Sequence, residues 1–341
     1  LTKKNEYGGK MKCYELRPFE DKYIEEAAKL FAENFRNEKE KVGFLPERFE
    51  DYNTVVTLLR NYIKKAPGVA AVKNDRLAGY MIGNLVPSWR GRRSVYVPVW
   101  GHSVREENRR RIHEQMYAFI SSHWIANGCF TQLITVLAQD NEIIDTLFWL
   151  GFGMAVIDAM QEIKEIQDPV PDIEIQKATI DDLATILSLF HEHQRYMAGP
   201  PIFMAMVEKR SREYYEKLLS NPLNTLWFGL YQGKVVAYMI IMPVTEEYLI
   251  TDEKTAWIQG AFTQEPLRNK GIGTALLKHS LAWAKSQGFV RCAVDFEGEN
   301  LLGTRFWLKY FEPICFTLIR QIDQRIGWAH AKRADEHFWR L

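Results

Sequence analysis

What the chain lacks narrows it first. Its four cysteines, Cys13, Cys129, Cys292 and Cys315, are scattered without a CxxC pair, so neither a disulfide framework nor a thiolate metal knuckle is expected. Reduced thiols in a cytoplasmic protein fit that usage. Neither sign of charge is in excess: 44 basic and 43 acidic residues leave a net charge of +1. Such a balance supplies no global attraction to nucleic acid or to an anionic membrane. No window reaches the ~20 apolar residues of a membrane-spanning helix, since even "GCFTQLITVLAQDNEIIDTLFWLGFG" is interrupted by Gln139, Asp140, Asn141 and Glu142. The opening "LTKKNEYGGK" has no apolar stretch of the signal-peptide kind, and it begins on Leu1, as a trimmed or incomplete start would. His191-x-His193 has no accompanying cysteine or carboxylate pattern, so no metal is expected.

What is present is enough apolar material for two cores. With 341 residues and 47% hydrophobic side chains, two domains are the natural expectation. The chain also echoes itself. A shift of 159 residues lays "YELRPFEDKYIEEAAKLF" (14–31) on "IEIQKATIDDLATILSLF" (173–190) without a gap, and a shift of 158 lays "VKNDRLAGYMI" (72–82) on "LYQGKVVAYMI" (230–240). Further along, Phe130 meets Phe289, Asn141 meets Asn300, and the "FW" pairs at 148–149 and 306–307 agree with a one-residue slip. Matches in the same order at nearly constant offset indicate a duplication. The expected units are 12–166 and 172–323, joined at Pro169 and Pro171, with a tail at 324–341 that is free to pack across the two units or onto a partner chain, as in a homodimer. Strands alternating with helical stretches predict an α/β (α+β) fold in each, a mixed central sheet flanked by helices.

The second unit contains "RNKGIGTAL" (268–276) between a strand at 255–263 and a helix over about 272–287. Ile272, Leu276, Leu277, Leu281 and Ala284 form the apolar stripe of that helix. Glycines feeding a helix N-terminus leave backbone N–H groups and the positive end of the helix dipole facing outward, which together cradle phosphate. A Walker loop would need Gly-Lys-Ser/Thr, and the dinucleotide fingerprint a third glycine where Leu276 stands.

Arg-x-x-Gly-x-Gly in this position resembles the acyl-CoA pyrophosphate loop of the GCN5-related N-acetyltransferase (GNAT) superfamily. The resemblance covers the second unit, including the "GKVVAYMII" hairpin and "NLLGTRFWLKYF", and the first unit in its layout and in "NEIIDTLFWLGF". It implies tandem acyl-CoA N-acyltransferase-like domains and acetyl-CoA as cosubstrate. The backbone of Ala261, Phe262 and Thr263 would pair with the pantetheine arm in the manner of an added strand. The loop Arg268, Asn269, Lys270, Gly271, Ile272, Gly273 and Thr274 would hold the pyrophosphate, and Asn300 would reach the arm or cap the next helix. At the family's usual acidic tyrosine stands Trp307, which leaves Tyr310 as the substitute acid, with Asp295 and Glu297 as carboxylates for deprotonating or binding the amine. The expected activity is N-acetyl transfer to a small-molecule or peptide amine, with "HEHQRYMAGPPIFMAMVEKRSREYYEKLL" (191–219) as the acceptor wall. The alternative is a catalytically silent acyl-CoA sensor or assembly module.

The basic run "RRRIHEQ" (109–115) reads as a solvated helix face. At the 159 shift it also lies on the loop, with Arg109 on Arg268, Ile112 on Gly271 and Glu114 on Gly273. A bulky side chain and a negative charge at the glycine positions predict a first unit that does not bind the cofactor.

Overall fold

The computed structural model describes residues 14–64, 66–105, 107–206, 211–244 and 251–329. The first half runs β1 (Glu15–Pro18), α1 (Ile24–Val42), α2 (Tyr52–Ile63), β2 (Gly68–Lys73), β3 (Arg76–Ile82), β4 (Asn84–Trp89), β5 (Arg92–Val97), β6 (His102–Val104), α3 (Arg109–Ala126), β7 (Thr131–Leu137), α4 (Asn141–Trp149) and β8 (Gly153–Glu162). The second runs β9 (Glu174–Lys177), α5 (Leu183–Ala198), α6 (Arg212–Ser220), β10 (Thr225–Tyr231), β11 (Lys234–Pro243), β12 (Thr255–Thr263), α7 (Ile272–Ser286), β13 (Arg291–Glu297), α8 (Leu301–Trp307) and β14 (Glu312–Gln321). The stretch 191–219 expected as the acceptor wall spans the end of α5 and most of α6, and 207–210 lie outside the described residues. Of the tail, 330–341 also lie outside them.

The two halves repeat each other in detail. The β2–β3 and β10–β11 hairpins turn on Asn74-Asp75 and Gln232-Gly233, all four with positive φ, as the tight hairpin turns of twisted strands require. Each hairpin shifts register at the matching place, between Ala71 and Val72 and between Gly229 and Leu230. The "FW" pairs, by contrast, are not equivalent, because Trp149 is 73% exposed while Trp307 is 7% exposed in a core. Helix α4 begins after a cap at Asp140 and α8 after a cap at Asn300, so Asp140 and not Asn141 is the counterpart of Asn300.

Strand pairing crosses the sequence boundary. One sheet has four strands, β1-β2-β3-β6; the other has ten, in the order β4-β5-β7-β14-β8-β13-β12-β11-β10-β9. The last strand of the first half, β8, lies beside β13 of the second, and the last strand of the second half, β14, lies beside β7 of the first. The two exchanged strands pair with each other, antiparallel. Units divided at the linker therefore share one sheet, and neither end strand completes its own half.

On one face of this sheet α7 lays Ile272, Leu276, Leu277, Leu281 and Ala284 against Ala256, Ile258, Cys292, Val294 and Phe296, the stripe expected from its helical spacing. On the other face α1 and α2 pack Phe31, Phe35, Leu59 and neighbours over Ala293, Ile314 and Cys315. Because side chains alternate along a strand, Asp295 and Glu297 point to that second face, away from α7.

Candidate functional site

Strand β12 pairs with β11 throughout, but the register slips where Ile240 faces Gly260 and Ile241 faces Ile258, which leaves Gln259 as an extra residue. Such a bulge bends the strand. The parallel pairing of β12 with β13 runs only from Thr255–Ile258 against Arg291–Val294. Beyond Ile258 the strands part, and among the described residues the edge of β12 over Ala261, Phe262 and Thr263 has no strand on its β13 side. An extended ligand could add there through main-chain hydrogen bonds.

The opening leads to the start of α7. Gly271 caps that helix in the left-handed region, with φ 81°, and a Cβ on it would stand 2.8 Å from Cδ of Pro171 in the linker. Both its backbone angle and its neighbour thus exclude a side chain. Asn269 is also left-handed, at φ 61°. The N–H groups of Ile272, Gly273 and Thr274 begin the helix and have no intrahelical acceptor. Arg268 is held in place: its Nε donates to the Thr263 carbonyl at 3.0 Å and its guanidinium lies 4.1 Å from the centre of the Tyr196 ring. Lys270 stands apart, over the Tyr231 ring at 6.0 Å.

Asn300 does the work of a helix cap. Its Oδ1 accepts from the Gly303 N–H at 3.1 Å and from the Tyr196 hydroxyl at 2.7 Å. It also borders the cleft of about 530 Å³ into which Ala261, Thr263, Arg268 and Gly273 face. Tyr310 borders the same cleft, and its hydroxyl shares a hydrogen bond with Thr274 Oγ1 at 3.1 Å. That contact ties Tyr310 to the loop end of the cleft. Asp295 and Glu297 do not line that cleft and point to the face away from α7, so of the three catalytic candidates the cleft is bordered by Tyr310 alone.

On that opposite face Trp257 Nε1 donates to Asp295 Oδ1 at 2.7 Å. Glu297 accepts from Arg90 Nη2 at 2.9 Å. Burial pushes the Glu297 carboxyl up from its ordinary value, and the Arg90 charge opposes the rise only in part. The Tyr214 and Gln259 side chains bond each other at 2.8 Å, which ties α6 to the bulge. His193 Nδ1 and the Tyr238 hydroxyl are 2.8 Å apart, and the His193 ring stacks on Phe262 at 5.2 Å. Arg90, Tyr196 and Tyr238 are not among the individual residues expected from the sequence. Trp257 alternates with Gln259 on the strand before the loop, a visible signal, whereas nothing local to Arg90 announces its partner 207 positions away.

The first half differs at the corresponding place, though not as the 159 shift implies. Four residues, Arg105 to Asn108, connect β6 to α3, where eight, Gln264 to Gly271, connect β12 to α7. The left-handed cap of α3 is Asn108, with φ 60°, so Asn108 and not Ile112 is the counterpart of Gly271. Ile112 is a core residue, and Glu114 lies on the helix surface bonded to Arg110 at 2.9 Å. Arg109 is paired with Asp140. The gap that opens between β12 and β13 in the second half is bridged here, because His102 Nε2 of β6 bonds the Thr135 carbonyl of β7 at 2.9 Å.

The sheet is splayed by a bulge and opens onto the N-terminus of a helix with a glycine cap, a geometry with room for an extended ligand with an anionic end. Residues 189–312 match the acetyltransferase (GNAT) family. The chain thus carries a GNAT acetyltransferase domain in its second half, and the fold of both halves is that of tandem GNAT proteins. A GCN5-related N-acetyltransferase from Sphaerobacter thermophilus is 14% identical with a TM-score of 0.55, over 90% of this chain and 95% of that one. A tandem GNAT protein from the clavulanic acid biosynthesis pathway is 13% identical with a TM-score of 0.51, over 90% and 98%. At these identities the likeness is one of fold. No curated protein sequence matches the chain.

Proposed function

We propose that the protein transfers an acyl group from acetyl-CoA or a related acyl-CoA to an amine, using the cleft of the second half. The observation that carries this reading is the parting of β12 from β13 beside the N-terminus of α7. The residues present fit such a cosubstrate: a free strand edge suits the amide-bearing arm, and a cap with no room for a Cβ lets backbone N–H groups approach a pyrophosphate. When bound, the group supplies an activated thioester carbonyl. Ala261, Phe262 and Thr263 would hold the arm, Asn269 to Thr274 the pyrophosphate, and Arg268 would brace the loop through Thr263 and Tyr196.

On the other face, the first half forms part of the acceptor site. Arg90 reaches Glu297 from the tip of the β4–β5 hairpin, and α1 and α2 cover the sheet next to it. The halves 12–166 and 172–323 are then one catalytic unit with a single cofactor cleft, since the short β6–α3 connection has no glycine cradle. An amine must lose a proton before it attacks, and the carboxylates that face the acceptor side are placed for that step. Tyr310, bonded to Thr274, serves the cofactor end in this arrangement.

Calorimetric titration with acetyl-CoA, followed by a turnover assay over small amines and peptide amino termini, tests the reading. Binding of one acetyl-CoA per chain with acyl transfer is expected. Binding without transfer to any amine would establish an acyl-CoA sensor instead, and no binding would remove both.

A further inference from the structure

The exchanged strand β8 brings a carboxylate that no local motif announces. Asp158 is opposite Asp295 in the antiparallel β8–β13 ladder, so the two side chains share one face, with Cβ atoms about 5 Å apart as for any such pair. Ile157 and Ala159 pack into the α7 core, which turns Asp158 to the acceptor side. Asp295 directly follows Val294, the last residue of β13 paired with β12. The carboxylate pair therefore stands where the strands part.

Asp158 is 6% exposed. Among the described residues its carboxylate has neither a hydrogen-bond donor nor a cation. Asp295 Oδ1 accepts from Trp257 Nε1. Cys315 of β14 is opposite Asp158 on its other side, and beyond it Glu38 of α1, bonded to Lys41 at 2.7 Å, adds another negative charge to the neighbourhood. Burial, then the charge of Asp295, pushes the Asp158 carboxyl well above the usual range. Like charges directly opposite in a ladder destabilise it, and an unpaired buried carboxylate costs more. A bound cation would relieve both.

We propose that Asp158 and Asp295 together form the ammonium-binding site for the acceptor, which makes the substrate a cationic primary amine. Asp158, in contact with the bound ammonium, accepts one of its protons: an N–H bond breaks, an O–H bond forms, and the neutral amine is left facing the splay. This rests on the acyl-transfer reading for its place in a reaction, although the binding step can be measured without it.

The test is calorimetric titration of the full chain with 1,4-diaminobutane and n-butylamine, with 1,4-butanediol as the uncharged control, repeated on Asp158→Asn and Asp295→Asn. The amines should bind the wild type and the diol should not, with at least a tenfold loss of amine affinity in either variant. Thermal unfolding of Asp158→Asn at neutral pH should show an unchanged or higher midpoint, because a like-charge contact is removed; a purely structural aspartate would lower it. Equal amine affinity in wild type and Asp158→Asn, or no amine binding to the wild type, overturns the inference. Acetyl-CoA titrated into the same samples separates the two ideas. Its failure to bind would sink the acyl-transfer reading while the amine titrations still report on the carboxylate pair.

Discussion

Arg90, at the tip of a hairpin in the first half, donates to Glu297 Oε1 of the second half at 2.9 Å. Both side chains are mostly buried, 32% and 19% exposed. The contact joins an otherwise remote turn to the strand that borders the splay. Replacing Arg90 by alanine should raise the Glu297 pKa further, because the one opposing charge is lost. An expected loss of about 1 kcal/mol should appear as a several-fold rise in KM for the amine. The affinity for acetyl-CoA should stay constant, as calorimetry would show.

Gly271→Glu should severely weaken acetyl-CoA binding, since a carboxylate would enter the anion cradle and its Cβ would meet Pro171 Cδ at 2.8 Å. Losing two charge-assisted hydrogen bonds corresponds to about 3 kcal/mol, or roughly 100-fold. Glu114→Gly in the first half should leave the stoichiometry at one per chain. Two acetyl-CoA molecules bound to the wild type would refute a single cleft.

His113 is fully buried, neither ring nitrogen has a hydrogen-bond partner among the described residues, and it packs edge-on against His102 at 5.3 Å. Burial lowers both pKa values from 6.5. The unfolded chain thus takes up protons that the folded one refuses, so stability is complete above about pH 6.5 and declines as the pH falls below it. Each histidine contributes a limiting slope of about 1.4 kcal/mol per pH unit. Chemical denaturation between pH 7 and pH 5 should show this decline, and His113→Leu should make it shallower.

Tyr310→Phe distinguishes cofactor positioning from acid catalysis. Loss of the bond to Thr274 Oγ1 should weaken acetyl-CoA by about 1 kcal/mol with kcat nearly unchanged. A large fall in kcat at unchanged acetyl-CoA affinity would restore the acid role expected from the sequence.

Local features were legible in advance. The β10–β11 hairpin, the strand at 255–263, the loop and the stripe of α7 follow from turn residues and periodicity that act over a few positions. The alignment of the two loops was not, because a four-residue difference in the connection moves Asn108 rather than Ile112 onto Gly271. Coincident arginines at 109 and 268 concealed that difference, and only the matching left-handed caps expose it.

By itself, the sequence determined that a fold was used twice and that its second copy carries a glycine cap before an amphipathic helix, since both are written in short-range pattern. Only the tertiary structure decided where β8 and β14 go. The two end strands come from equivalent positions and face equivalent sheet edges, so each can satisfy its backbone hydrogen bonds in either half. The choice is made by long-range packing, and with it comes the placement of Asp158 beside Asp295.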